Sequence, residues 1–374
     1  MAVPILNLQA QYQQMRQDLD AALLGVLASG QFILGPNVAA FEQEMAAALQ
    51  VRRAIGVASG TDALHLAVRA MRLGLGDLAI TSPFTFIATA TALSYAGARP
   101  VFADIRPGTF TLDPECVAEC LAGRGPRPTG SGRVRAILPV HLYGHPAEMD
   151  ALLDLARGHS LVVIEDAAQA VGAEYRGRPV GGLGDVGCFS FYPTKNLGGL
   201  GDGGLATTQD SALAERLLRL RVYGGQERYQ HEELGWNSRL DEIQAAVLRV
   251  KLRRLAEWVR RRRAVAARYR AGLAGLGIGL PEEEPESLHV YHQFTIRVPD
   301  RDGVRRRMAE RDVATAIYYP VPLHLQPLYR DLGYRPGDFP EAERAAREVL
   351  CLPIYPELTE GQVDEVVEAC RRAL

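Results

Sequence analysis

The chain has 374 residues, 47% hydrophobic and 23% charged, enough for about two domains with their own cores. Forty-two basic residues against 44 acidic ones leave a formal charge of −2, which speaks against a dedicated nucleic-acid binder. Five scattered cysteines and the lack of a leader or a membrane-length apolar run set the expectation of a cytoplasmic protein without a disulfide framework.

Along the chain, residues 38–49 (VAAFEQEMAAAL) have helical spacing, as do residues 62–72 (DALHLAVRAMR), which follow Ser59-Gly60-Thr61. Four short apolar runs then end in polar or glycine-rich turns: LAITSP, RPVFADI, RAILPVHLYG and LVVIEDA. A helix-like stretch at 147–157 (AEMDALLDLAR) separates the last two. Short apolar strands alternating with helices predict an α/β fold whose mostly parallel sheet is covered on both faces. In such sheets the chemistry sits at the carboxyl ends of the strands. Residues 123–133 (GRGPRPTGSGR) read as an exposed loop. Residues 240–274 read as one long helix, and YHQFTIRV and ATAIYYPV as strands of a smaller unit. The expected division is 1–245 and 246–374. Arg249, Lys251, Arg253, Arg254 and Arg260 to Arg263 make the long helix basic, which is read as a solvated outer face.

Several motifs are set aside. Gly182-Gly184-Gly187 and Gly199-Gly201-Gly204 match a dinucleotide fingerprint but lack a strand–turn–helix context. Cys116 and Cys120 lie one helical turn apart without further ligands, and no metal site is expected.

Three motifs carry chemistry. Ser59-Gly60-Thr61-Asp62, between a strand pattern and a helix pattern, would expose backbone N–H groups to an anion, although an ordinary N-cap would look the same. Glu165-Asp166 closes an apolar strand, where a carboxylate needs a cation or donors, unless it merely caps a helix. Phe189-Ser190-Phe191-Tyr192-Pro193-Thr194-Lys195 leads into a glycine-dense loop. Lys195 is one of only two lysines, the other being Lys251, in a chain that otherwise uses arginine. An amine can be deprotonated and can form a Schiff base, as a guanidinium cannot. A phosphate cradle, an aromatic face at Phe86, a strand-end Asp and a reactive Lys together fit pyridoxal 5′-phosphate (PLP).

The blocks SGTDAL, PFTFIATA, PVHLYG, EDAAQAVGA, GCFSFYPTKNLGGLGDGG, NSRLDEIQAA and YYPVPLHLQP resemble, in order, the signatures of the DegT/DnrJ/EryC1/StrS family. Its members are PLP-dependent aminotransferases acting on keto sugars, usually nucleotide-linked. The resemblance runs from about residue 5 to about residue 365. It implies the aspartate-aminotransferase fold (PLP fold type I), with a mostly parallel seven-stranded sheet and a small C-terminal domain. It also implies Lys195 as the Schiff-base lysine, Asp166 on the pyridinium nitrogen, Gln169 near the 3-oxygen and Phe86 on the ring. Gly60, Thr61 and Ser190 would contact the phosphate. Asn237, with Arg239 beside it, would reach the phosphate of a neighbouring subunit, which implies a homodimer with shared sites. L-Glutamate is the implied donor and pyridoxamine phosphate the intermediate form. A lysine at 195 implies amination, since relatives that dehydrate sugars carry His there.

Asn237-Ser238-Arg239 with YYPVPLHLQP looks like the 3-amino branch, so a 3-keto sugar on dTDP or UDP is expected. A 4-keto sugar or a cyclitol is the alternative acceptor, and a non-catalytic regulatory relative the alternative class. Tyr318 stands where many relatives place His. His141, Tyr143, His231 and His324 are further candidates for the substrate pocket, each equally readable as a structural residue.

Overall fold

The computed structural model describes residues 2–225 and 229–374. In chain order the strands are β1 (Arg53–Val57), β2 (Asp77–Thr81), β3 (Arg99–Phe102), β4 (Arg133–Leu138) and β5 (Val162–Asp166). They continue with the short β6 (Glu174–Tyr175) and β7 (Arg178–Pro179), then β8 (Val186–Ser190), β9 (Gly204–Thr208), β10 (Ser287–Leu288), β11 (Phe294–Arg297) and β12 (Val349–Leu352). The helices are α1 (Leu8–Ser29), α2 (Pro36–Ala48), α3 (Gly60–Ala70), α4 (Ala88–Tyr95), α5 (Pro114–Leu121) and α6 (Met149–His159). After these come α7 (Ser211–Leu220), α8 (Glu242–Leu252), α9 (Leu255–Leu273), α10 (Arg301–Ala309), α11 (Pro340–Glu348) and α12 (Glu360–Ala373).

Seven strands form the expected sheet in the order β1-β9-β8-β5-β4-β2-β3. Every neighbouring pair is parallel except the two made by β9. β9 follows β8 with no helix between them, and an antiparallel partner needs no crossover. The central strands are apolar because both faces are covered. On one face, α3 and α7 pack Leu64, Leu66, Val68 and Leu217 against Ile55, Val57 and Ile164. On the other, Phe41 and Met45 of α2 and Leu248 of α8 meet Phe189 and Leu205. Each such side chain, once buried, contributes roughly 1.5–3 kcal/mol.

A further cluster gathers Tyr269 and Leu273 of α9, Phe294 and Ile296 of β11, Leu350 and Leu352 of β12 and Val366 of α12. Val3 joins it, paired with Val313. No helix among the described residues is long and apolar enough to cross a membrane.

Three expectations change. The long helix is two helices, α8 and α9, joined by a tight turn in which the Arg254 N–H donates to the Lys251 carbonyl at 2.9 Å. Its basic face is only partly solvated, because Lys251 and Arg262 are buried. ATAIYYPV is not a strand: beyond an isolated pairing of Ala316 with Cys351, Pro320 and Pro322 remove the donors a ladder would use.

Candidate active site

The chain enters β5 through Val162–Ile164, apolar residues between covered faces, and ends it on two carboxylates. Successive side chains of a strand point to opposite faces, so Glu165 and Asp166 part company. Glu165 accepts from His141 Nε2 at 3.0 Å and from the backbone N–H groups of Gly181, Leu183 and Gly184 at 2.7–2.8 Å. Asp166 faces a cavity of about 590 Å³. There it accepts from Thr89 Oγ1 at 2.7 Å and from the Ala168 N–H at 3.2 Å. Burial pushes its carboxyl above the ordinary value, only partly opposed by those donors and by Lys195.

Lys195 lies beyond the end of β8. Its N–H donates to the Tyr192 carbonyl at 2.8 Å, and the Gly199 N–H donates to the Phe191 carbonyl at 2.7 Å, which curls the loop back on the strand end. A Cβ on Gly198 would come within 2.3 Å of the Pro193 carbonyl, so only glycine permits this turn. Lys195 lines the same cavity as Asp166. Burial lowers its amine to about 8, against the opposing pull of Asp166. Near neutral pH such an amine deprotonates readily, as a nucleophile must.

The start of α3 also borders the cavity. Ser59 caps the helix, its hydroxyl accepting from the Asp62 N–H at 3.1 Å. First-turn N–H groups have no acceptor within a helix, and here Gly60 and Thr61 border the cavity together with Ser190. A Cβ on Gly60 would lie 2.6 Å from Ser190 Cβ, so glycine is what allows helix and strand to meet. Ser238 ties a distant segment to this turn, donating to Asp62 at 3.0 Å and accepting from the Ala58 N–H at 3.3 Å.

Of the residues singled out from the sequence, Gly60, Thr61, Phe86, Asp166, Gln169, Ser190, Lys195 and Tyr318 all line this cavity. Phe86 is 53% exposed, its ring tilted against that of Tyr319 with centroids 5.9 Å apart. Gln169 accepts from the Tyr143 N–H at 2.7 Å and donates to the Tyr319 hydroxyl at 3.1 Å. The cavity lining does not include the other candidates. His141 is buried against Glu165 and accepts from the Ala147 N–H at 3.0 Å. Tyr143 lies buried behind the wall, its hydroxyl donating to the Tyr318 carbonyl. His324 is packed against Phe339 and bonded to Glu343 at 3.1 Å. His231 is exposed and bonded to the Tyr223 carbonyl at 3.0 Å. Asn237 is exposed and Arg239 half-buried.

Sequence reasoning missed Tyr319 and His292, which line the cavity with Asp166 and Lys195, and the buried Thr89, which donates to Asp166. Thr89 lies three residues after Phe86 at the start of α4, a helical spacing that could have revealed it. His292 is held neutral by burial and by the nearby Lys195, and contacts Asn196 at 3.2 Å. Nothing in its local sequence separates it from an ordinary strand residue.

These groups fit PLP: a desolvated carboxylate suits a protonated ring nitrogen, a glycine-bordered helix start suits a phosphate, and an activated amine suits its aldehyde.

The comparisons with known proteins agree. A sequence model of the DegT/DnrJ/EryC1/StrS aminotransferase family matches residues 13–371. The chain is 49% identical over 370 residues to a dTDP-3-amino-3,4,6-trideoxy-alpha-D-glucose transaminase of Streptomyces venezuelae, covering 99% of this chain and 95% of the relative. It is 47% identical over 371 residues to a protein of Geobacillus stearothermophilus named pleiotropic regulatory protein, covering 98% and 97%. The crystal structure of S. venezuelae DesV in complex with a ketimine intermediate matches with a TM-score of 0.94 at 49% identity, over 99% of this chain and 98% of that one. By sequence blocks, fold and site alike, the chain belongs to the DegT/DnrJ/EryC1/StrS aminotransferase family.

Proposed function

We infer that the protein is a PLP-dependent aminotransferase that moves an amino group from L-glutamate to the 3-keto group of a dTDP- or UDP-linked sugar. The observation that carries this reading is the shared cavity of Lys195 and Asp166: one amine eased toward neutrality, one carboxylate short of a cation. The acceptor class rests on the transaminase relative, whose name specifies a dTDP-linked 3-amino sugar.

Bound in the cavity, PLP supplies a carbonyl that condenses with amines and a ring that withdraws electrons. Lys195 Nζ would hold it covalently. When not so engaged, the same nitrogen would take up and return a proton, as base and then acid. Asp166 would keep the ring nitrogen protonated, and Thr89 holds the Asp166 carboxylate in place by donating to it. Gly60, Thr61 and Ser190, which line the cavity, would hold the phosphate, and Phe86 would lie against the ring. Tyr318 and Tyr319 line the same cavity and would border the acceptor. Two copies would share their sites, the exposed Asn237 of one being the residue to reach the phosphate bound by the other. The chain works as two units, 1–245 and 246–374, in the cytoplasm, in keeping with its five free cysteines.

The basic helix region does not favour a regulatory reading. Lys251 and Arg262 are buried, Arg249 pairs with Glu44 at 2.8 Å, and Arg263 pairs with Glu283. The test is product analysis: purified protein with PLP, L-glutamate and a panel of nucleotide-linked 3-keto and 4-keto sugars. A 3-amino sugar with 2-oxoglutarate is expected. Amination of the 4-keto sugars alone would overturn the 3-keto assignment, and failure to take up PLP would overturn the enzyme itself.

A further inference from the structure

The second lysine has no part in that mechanism, yet its side chain is only slightly exposed (3% for the residue). Lys251 lies in the last turn of α8, and Gln244 lies two turns earlier on the same helix. Lys251 Nζ donates to the Gly198 carbonyl at 2.7 Å, and Gln244 Oε1 accepts from the Leu200 N–H at 2.8 Å. Both bonds fall on the far limb of the loop that begins at Lys195. The fit is close: a Cβ on Gly199 would lie 2.7 Å from Gln244 Oε1, and one on Gly201 3.0 Å from its Nε2.

We propose that Lys251 is a positioning residue that, together with Gln244, clamps the glycine loop and so aims Lys195 into the cavity. The proposal rests on the reading of Lys195 as the cofactor lysine. Burying an ammonium for a hydrogen bond to one carbonyl is costly unless its geometry matters. A guanidinium is planar and broader, whereas an ammonium is a compact donor that fits over one carbonyl. That distinction accounts for a lysine in a chain that otherwise uses arginine as its cation. Burial lowers the Lys251 amine to about 8, with Glu357 opposing.

The two-lysine composition makes the test clean. Apoprotein and holoprotein of the parent, Lys251→Met, Lys251→Arg and Gln244→Leu are compared. Borohydride reduction of the PLP-loaded protein, followed by peptide mass spectrometry, reports which lysine carries the cofactor. Labelling of the apoprotein with an amine-directed reagent across pH reports how Lys195 titrates. For Lys251→Met we expect PLP still fixed on Lys195. We also expect the Lys195 labelling profile to shift to higher pH as the loop opens to water, and kcat to fall roughly ten- to hundredfold with little change in KM. Lys251→Arg should recover part of both losses, and Gln244→Leu should shift the profile in the same direction. Should Lys251→Met fail to fold, the profile of Gln244→Leu decides. A parent-like profile and kcat in the folded variants would overturn the proposal while leaving Lys195 as the cofactor lysine. PLP fixed on no lysine in the parent would instead overturn the underlying function.

Discussion

Glu165 and Asp166 are neighbours on one strand end, both buried, and the molecule treats them in opposite ways. Glu165 is saturated by His141 and three backbone donors. Burial alone would raise its carboxyl, but the His141 contact and those donors bring it below the ordinary value. Asp166 receives two donors, faces a cavity and is raised. A carboxylate fully provided for by its own chain serves architecture, here the anchoring of the 181–184 turn against the sheet. One left short is poised to accept a positive ligand.

Mutations can break or sharpen that contrast. The largest effect should come from the cavity side: Lys195→Ala should lower turnover about 10⁴-fold, read by amino-sugar formation, while melting hardly changes. On the other side, Glu165→Ala strands three N–H groups and His141 without an acceptor. It should cost roughly 3–5 kcal/mol in chemical denaturation, and the fraction still folded should keep its turnover. Asp166→Asn keeps the shape and removes the charge. We expect about a hundredfold loss of kcat, with PLP held less tightly and stability near parental. Thr89→Val, which removes one donor to Asp166, should cost about tenfold in kcat. The smallest effect is one of pH: below about 8 the Lys195 amine is largely protonated, so PLP capture by the apoprotein should quicken with rising pH and level off above that value. If Glu165→Ala abolished chemistry in well-folded protein, or Asp166→Asn unfolded the chain, the contrast would fail.

Much of this was legible in the sequence. Alternating apolar strands and amphipathic helices gave the sheet, and a rare amine among glycines marked the loop. The pocket's side walls were not legible. His141, Tyr143 and His324 look like ligand-binding residues in one dimension, but burial turns them to structural partners: Glu165, the Tyr318 carbonyl and Glu343. Conversely, His292 and Tyr319 reach the cavity, and Thr89 reaches Asp166, from three separate segments, and only the folded chain brings them together. The break between α8 and α9 has neither proline nor glycine to announce it.

Contact between Gly60 and Ser190 joins the anion-binding turn to the sheet with no slack. Leu66 and Val68 of α3 sit in the apolar core beneath that turn. Trimming either buried side chain would let the helix settle, and its first turn would settle with it. With the phosphate seated at that turn as proposed, its retention would be governed in part by oily residues that never meet it, and weak cofactor binding in a variant need not point to a change in the pocket.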